Sequence, residues 1–168
     1  RYRTGFVGGR PVRTRMLGDL AHEMRTRLHG TSAYYVMNQH INYSNICVNG
    51  CRFCAFGREK DDPKAFQLSI ERILEKVRQR LGDPITEIHI VGGCHPDLPF
   101  SYYETILREV RRLRPDASIK AFTAVEIAHF ARSEGITTRD VLIRLKSAGL
   151  DMLPGGGAEV FSQRVRDL

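Results

Sequence analysis

Short strand-like runs alternate with helix-like runs along most of this chain, and that alternation limits the folds open to it. Ser69 is placed to cap a helix whose apolar stripe is Ile70, Ile73, Leu74, Val77 and Leu81, with Gly82 at its end. Glu87–Val91 reads as a buried strand entering Gly92-Gly93. Ser101 and Glu104 have capping-box spacing and open a helix carrying Ile106, Leu107, Val110 and Leu113, stopped by Pro115. Ser118–Phe122 is the next strand, and Thr123 with Glu126 forms a second capping box. A helix from Thr137 or Thr138 through Leu145 ends at Gly149. Leu150–Leu153 reads as a last short strand, and Pro154–Gly157 turns toward a helix at Ala158. Upstream, Leu17, Leu20, Ala21, Met24 and Leu28 have helical spacing, Gly30 ends that helix, and Ala33–Met37 and Ile41–Tyr43 look extended. Residues 1–16 carry no clear signal. The pattern predicts an α/β fold with a parallel sheet. In a (β/α) barrel, the loops after the strands share one face, where active sites are built. A doubly wound open sheet is the alternative.

The 168 residues suit one domain of ordinary size. The chain opens without Met and closes at Leu168 in what reads as the start of a helix. The expectation is therefore the N-terminal part of a larger enzyme, with residues 1–40 as a lead-in and 41–168 as a core truncated at its C-terminus. No run reaches the ~18–20 apolar residues of a membrane span, and no secretory signal pattern is present. The expected location is the cytoplasm, with no membrane partner. There are 26 Lys+Arg against 19 Asp+Glu, a net charge of +7. Arg72, Arg78, Arg80, Arg108, Arg111, Arg112 and Arg114 are scattered over helix faces and read as solvated, without a nucleic-acid-binding signature. The positive field favours an anionic small substrate.

The loop from Asn45 to about Pro63 holds Cys47, Cys51 and Cys54, spaced C-x3-C-x2-C. Such spacing lets three thiolates meet at one centre. A structural disulfide leaves an odd thiol and fits a βα enzyme poorly. A zinc site closes with four ligands, and Cys94 or a His would supply the fourth in a zinc-binding interaction module. An iron–sulfur cluster held by three cysteines leaves one iron open. Phe53, directly before Cys54, favours the cluster, because an aromatic there shields it and presents its backbone to an adenine.

Cys47-Val48-Asn49-Gly50-Cys51-Arg52-Phe53-Cys54 resembles the radical S-adenosylmethionine (SAM) signature, C-x3-C-x-aromatic-C. The resemblance implies a 4Fe–4S cluster on Cys47, Cys51 and Cys54. SAM then chelates the open iron, and its reductive cleavage gives a 5′-deoxyadenosyl radical. Asn42–Cys47, Cys54-Ala55-Phe56, Gly92-Gly93-x-His95-Pro96-Asp97-Leu98-Pro99 and Gly149-Leu150-Asp151 are similar to one subgroup. It contains the radical enzymes of the futalosine route to menaquinone and the deazaflavin-precursor synthases. His89–Gly93, Lys120–Ile127 and Leu153–Glu159 most resemble the aminofutalosine synthases within it.

That resemblance implies a radical SAM transferase that adds the adenosyl radical to 3-[(1-carboxyvinyl)oxy]benzoate, an aromatic enol-ether dicarboxylate, to form 6-amino-6-deoxyfutalosine. SAM is then a co-substrate, and the electron comes from a donor such as flavodoxin or ferredoxin. Dehypoxanthine futalosine cyclase, or a deazaflavin-type relative, is the alternative. Phe53, Gly92, Gly93, Thr123, Glu126, Gly155 and Gly156 are expected to bind SAM. Gly92-Gly93 allows close backbone approach, and Gly155-Gly156-Gly157 offers free N–H groups before a helix. Glu126 has two readings, a helix cap or a SAM ligand. Glu159 and His95 are the candidate catalytic residues, Glu159 for proton transfer and His95 toward a substrate carboxylate. Cys94 departs from the Leu usual in the family, and its expected role is that of a small buried hydrophobe.

Overall fold

The computed structural model describes residues 4–7, 10–52, 54–155 and 162–166. Its contacts divide the chain into two units, residues 1–35 and 36–168. The first contains an antiparallel hairpin, β1 (Thr4–Val7) and β2 (Arg10–Arg13), which has no counterpart in the sequence reading, and helix α1 (Thr14–His29). Helix α1 closes at Gly30, whose φ of +58° is one that a residue without Cβ adopts at little cost. Its apolar stripe is exposed at Leu17, Leu20, Met24 and Leu28.

The second unit is built on three parallel strands, β3 (Asn38–Asn42), β4 (Glu87–Val91) and β5 (Ser118–Ala121), adjacent in chain order. The helices are α2 (Ile70–Arg78), α3 (Phe100–Leu113), α4 (Ala124–Glu134), α5 (Thr138–Ala148) and α6 (Gln163–Arg166). Among the described residues the strand order never reverses. That is the order of neighbouring strands in a (β/α) barrel, and no switch point of a doubly wound sheet falls among them. Leu150–Leu153 forms no strand; it joins the sheet through one parallel bridge, Lys120 to Met152, on the free edge of β5. Ala33–Met37 has no regular structure. No helix among the described residues is long and apolar enough to cross a membrane.

One face of the sheet makes the core. Ile41, Ile88, Ile90, Ile119 and Ala121 are buried there with Ile73 and Val77 of α2, Ile106, Leu107 and Val110 of α3, and Val141 and Leu145 of α5. Burying each such aliphatic side chain contributes about 1.5–3 kcal/mol. The opposite face is polar. His40, His89 and Lys120 share one register row, the two imidazoles stack with centroids 4.8 Å apart, and Lys120 pairs with Glu87 at 2.7 Å.

Three local expectations are corrected. Leu81 is exposed, because α2 ends at Gln79 and the chain turns before Gly82. Ser101 does not cap α3. Pro99 occupies that position without a side-chain bond, and the Phe100 N–H donates instead to Glu134 at the far end of α4, at 3.3 Å. Arg114 is not solvated. It is buried and donates to the carbonyls of Ile85 at 2.6 Å and Arg80 at 3.3 Å, with Asp116 as its ion partner. The caps at Ser69 and Thr123 form as read, and Thr137, read only as one of two starts of its helix, caps α5 through the Asp140 N–H.

Candidate functional site

The cysteine loop leaves the C-terminal end of β3 and is closed by the residues directly ahead of Cys47. Asn45 is buried and fastens the two ends of the loop. Its Nδ2 donates to the Lys64 carbonyl at 2.9 Å, and its Oδ1 accepts the Phe66 N–H at 2.7 Å. The Ser44 hydroxyl donates to the Phe66 carbonyl at 2.8 Å. Backbone bonds from Cys47 N–H to Arg58 carbonyl and from Arg58 N–H to Asn45 carbonyl complete the closure, at 3.0 and 2.8 Å. Sequence reasoning gave Ser44 and Asn45 no role. Their position directly before the first cysteine, among the residues of the resemblance, was the available signal.

Cys47, Cys51 and Cys54 line one pocket of about 230 Å³ with Gly50, Gly57, Arg58 and Glu59. Cys51 and Cys54 are exposed and Cys47 is half-buried. The Gly57 N–H donates to the Cys54 sulfur at 3.2 Å, a contact that strengthens when the sulfur is a thiolate. Among the described residues no three Cys, His, Asp or Glu side chains form a ready-made site for a metal ion. The thiols instead stand on the wall of an open pocket. Three soft donors on one loop, with one sulfur already receiving an N–H, fit an iron–sulfur cluster.

Gly92-Gly93-Cys94 runs beside this loop at the end of β4. The Gly93 N–H donates to the Ser44 carbonyl at 2.9 Å, and the Val48 N–H to the Cys94 carbonyl at 3.1 Å. A Cβ on Gly93 would stand 2.1 Å from the Ile46 carbonyl oxygen, and one on Gly92 2.6 Å from the Tyr43 ring. Both glycines therefore serve the chain's own packing, because a side chain at either would push against the segment from Tyr43 to Cys47 that leads into the cysteine loop.

Glu126, in the first turn of α4, is 2% exposed and bonded on both oxygens. Oε1 accepts the Tyr43 hydroxyl at 2.8 Å and the Gly92 N–H at 3.1 Å. Oε2 accepts the Thr123 N–H at 2.7 Å and its hydroxyl at 2.8 Å. The capping reading of Glu126 is thus realised, and the carboxylate also ties the ends of β3 and β4 to the start of α4. Burial raises its pKa, opposed by these hydrogen bonds. Phe122, before Thr123, takes a φ of +60°, rare for a residue with a side chain. Its ring is fully buried against Tyr43, Tyr103 and Phe130 under the site.

His95 is buried at 3% exposure. Its Nδ1 accepts the Asp97 N–H at 3.1 Å, which leaves the ring proton on Nε2. That Nε2 has no protein partner, and burial holds the ring pKa below its ordinary value. Cys94 is 2% exposed, and burial pushes its thiol up to about 12. Gly155 is exposed, with nothing near a Cβ placed on it. Phe53, Gly156 and Glu159 lie outside the described residues.

A family model described as the Radical SAM superfamily matches residues 41–168. The chain belongs to the radical SAM superfamily. It is 43% identical over 150 residues to an aminodeoxyfutalosine synthase of Streptomyces coelicolor (strain ATCC BAA-471 / A3(2) / M145), covering 89% of this chain and 39% of that protein. It is 41% identical over 147 residues to an FO synthase of Nocardia farcinica (strain IFM 10152), covering 88% of this chain and 17% of that protein. Among solved structures it resembles methylornithine synthase, with a TM-score of 0.54 and 14% identity over 82% of this chain and 48% of that one. That likeness concerns the fold. The chain spans about two-fifths of the length of the aminodeoxyfutalosine synthase it matches. Membership in this superfamily also sets aside the zinc-binding module.

Proposed function

We propose that residues 41–168 are the cluster- and SAM-binding core of an aminodeoxyfutalosine synthase, with residues 1–40 as a lead-in. The observation that carries this reading is the convergence of Cys47, Cys51 and Cys54 on one pocket beside Gly92, Gly93 and Cys94. The relatives' names support the choice of reaction. Cys47, Cys51 and Cys54 would hold a 4Fe–4S cluster. A bound cluster would supply one electron to SAM, releasing methionine; the adenosyl carbon would join the enol-ether double bond of 3-[(1-carboxyvinyl)oxy]benzoate, and rearrangement with loss of the carboxyl group, which carries the electron away, would give 6-amino-6-deoxyfutalosine.

The chain's own residues do the positioning. Ser44 and Asn45 close the cysteine loop, and Gly93 lets that loop lie against β4. Glu126 holds Gly92 in place. The strand ends at Gly92, Gly93, Thr123 and Glu126 would offer the platform for SAM, and Phe53, Gly155 and Gly156 are assigned to SAM binding with them. His95 presents an Nε2–H donor suited to a substrate carboxylate, and Glu159 is assigned proton transfer. The electron donor would be a flavodoxin or a ferredoxin in the cytoplasm.

The test is incubation of the full-length protein with adenosyl-labelled SAM, a reductant and the enol-ether substrate, followed by mass analysis. Label is expected in aminodeoxyfutalosine, with one SAM consumed per product. Label released as 5′-deoxyadenosine in step with a cyclised product would replace this reading with the cyclase. The similarity to FO synthase makes a deazaflavin-type reaction the second comparison in the same assay.

A further inference from the structure

Arg58 grips the cysteine loop at both of its ends. Its backbone holds the start, where its carbonyl accepts the Cys47 N–H at 3.0 Å and its N–H donates to the Asn45 carbonyl at 2.8 Å. Its side chain holds the turn that follows Cys54. One guanidinium nitrogen, Nη1, donates to the carbonyls of Ala55 at 2.9 Å and Gly57 at 2.7 Å. Nε faces the Asp62 carboxylate at 3.7 Å. The turn so held delivers the Gly57 N–H to the Cys54 sulfur at 3.2 Å. A Cβ placed on Gly57 would lie 3.5 Å from that sulfur and 3.6 Å from the Cys47 Cβ, so the turn sits between the first and third thiols. Arg58 and Gly57 line the same pocket as the three cysteines.

We propose that Arg58 is a positioning residue for the cluster: by clamping the carbonyls of Ala55 and Gly57, it keeps the Gly57 N–H on the Cys54 thiolate and raises the cluster's reduction potential. This inference rests on the assignment of Cys47, Cys51 and Cys54 as ligands. Reduction adds negative charge to the cluster and its sulfurs, so a hydrogen bond to a ligand sulfur stabilises the reduced state more than the oxidised one. The Gly57–Cys54 bond is exposed, and water competes for both partners, so its persistence depends on the turn being held. A guanidinium suits that task, because its N–H groups form a rigid fork and its charge strengthens each bond to a carbonyl.

The test is a redox titration of the reconstituted full-length protein, read by the spin signal of the reduced cluster, with iron and sulfide measured in each sample. At a fixed potential the reduced-to-oxidised ratio of Arg58→Met should fall about tenfold, a midpoint ~59 mV more negative for a one-electron couple. Arg58→Lys keeps the charge without the rigid fork and is expected to fall between Arg58→Met and wild type. Pulsed spin resonance in heavy water reads the hydrogen bond itself: the exchangeable deuteron coupled to the reduced cluster through the Cys54 sulfur is expected to weaken in Arg58→Met. If Arg58→Met fails to load, hydrogen exchange across residues 55–58 of the cluster-free proteins decides, and faster exchange than in wild type is expected. An unchanged midpoint in a loaded Arg58→Met protein overturns the proposal, as does unchanged exchange in an unloaded one. A lower midpoint with an unchanged deuteron coupling also overturns it, and assigns the effect to the charge of Arg58 alone. A wild-type protein that takes up no iron and sulfide overturns the ligand assignment itself, and that result is visible before any titration.

Discussion

The Tyr43 hydroxyl donates to the Glu126 carboxylate at 2.8 Å, joining residues 83 positions apart in the chain. The same hydroxyl lies 3.0 Å from the Gly93 carbonyl, a second acceptor. Tyr43 and Glu126 thus bracket Gly92-Gly93 from both sides, and the first cysteine of the loop, Cys47, follows Tyr43 by four residues. The tie is buried, so its loss is felt in full.

Removing Glu126 is expected to destabilise the fold by more than one hydrogen bond's worth. Glu126→Ala strands the Gly92 and Thr123 N–H groups, each costing about 1–3 kcal/mol when buried without a partner. Tyr43→Phe loses less. Urea unfolding of the two single variants and the double variant gives the coupling, expected at about 0.5–3 kcal/mol. A coupling of zero would show that the two side chains act independently.

Gly93→Ala is expected to damage the cluster site as well as any SAM site. Its Cβ would lie 2.1 Å from the Ile46 oxygen and 2.9 Å from the Cys47 Cβ, so the segment leading into the cysteine loop must shift. Overpacking of this kind costs about 1–3 kcal/mol. Lower iron and sulfide content and a lower unfolding midpoint are the expected outcomes. Full cluster content with weakened SAM binding would place the role of Gly93 in ligand contact alone.

Single Ser substitutions of Cys47, Cys51 and Cys54 are expected to abolish or sharply reduce the optical and spin signals of the cluster after anaerobic reconstitution. Cys94→Ser is expected to keep them. Retained signal in Cys51→Ser, or lost signal in Cys94→Ser, contradicts the ligand set.

Stability is expected to fall on mild acidification, in part through His95. Burial holds its folded pKa below the ordinary 6.5, so between those two values the unfolded chain binds more protons. The contribution is therefore full above pH 6.5 and is lost as pH falls toward the folded value. His89 shifts in the same direction, through burial and its neighbour His40. Urea midpoints at about pH 7.5 and about pH 5.5 should differ, and His95→Gln should reduce the difference. An equal slope in wild type and variant would assign the effect elsewhere.

Local chemistry was readable from the sequence alone. Helix caps at Ser69 and Thr123 depend on residues three positions apart, and Gly149 closes its helix through a backbone conformation that suits glycine. The alternation of strands and helices gave the fold class, because it fixes which faces must be covered. The three cysteines declared themselves by spacing, since one loop suffices to bring them together.

What joins distant segments was decided by tertiary structure. Glu126 read equally well as a helix cap or as a ligand, and only the approach of Tyr43 and Gly92 shows that it also ties the strand ends together. Arg114 looked like one more surface arginine until two carbonyls of the α2–β4 connection and Asp116 closed around it. Cys94 gave no sign that its carbonyl would accept the Val48 N–H, 46 positions earlier, because parallel pairing of strand ends sets that neighbour and no spacing rule encodes it. The physical reason is the same in each case. Caps and turns are satisfied within one turn of backbone, whereas burial and cross-strand hydrogen bonds exist only once the sheet has brought its ends together.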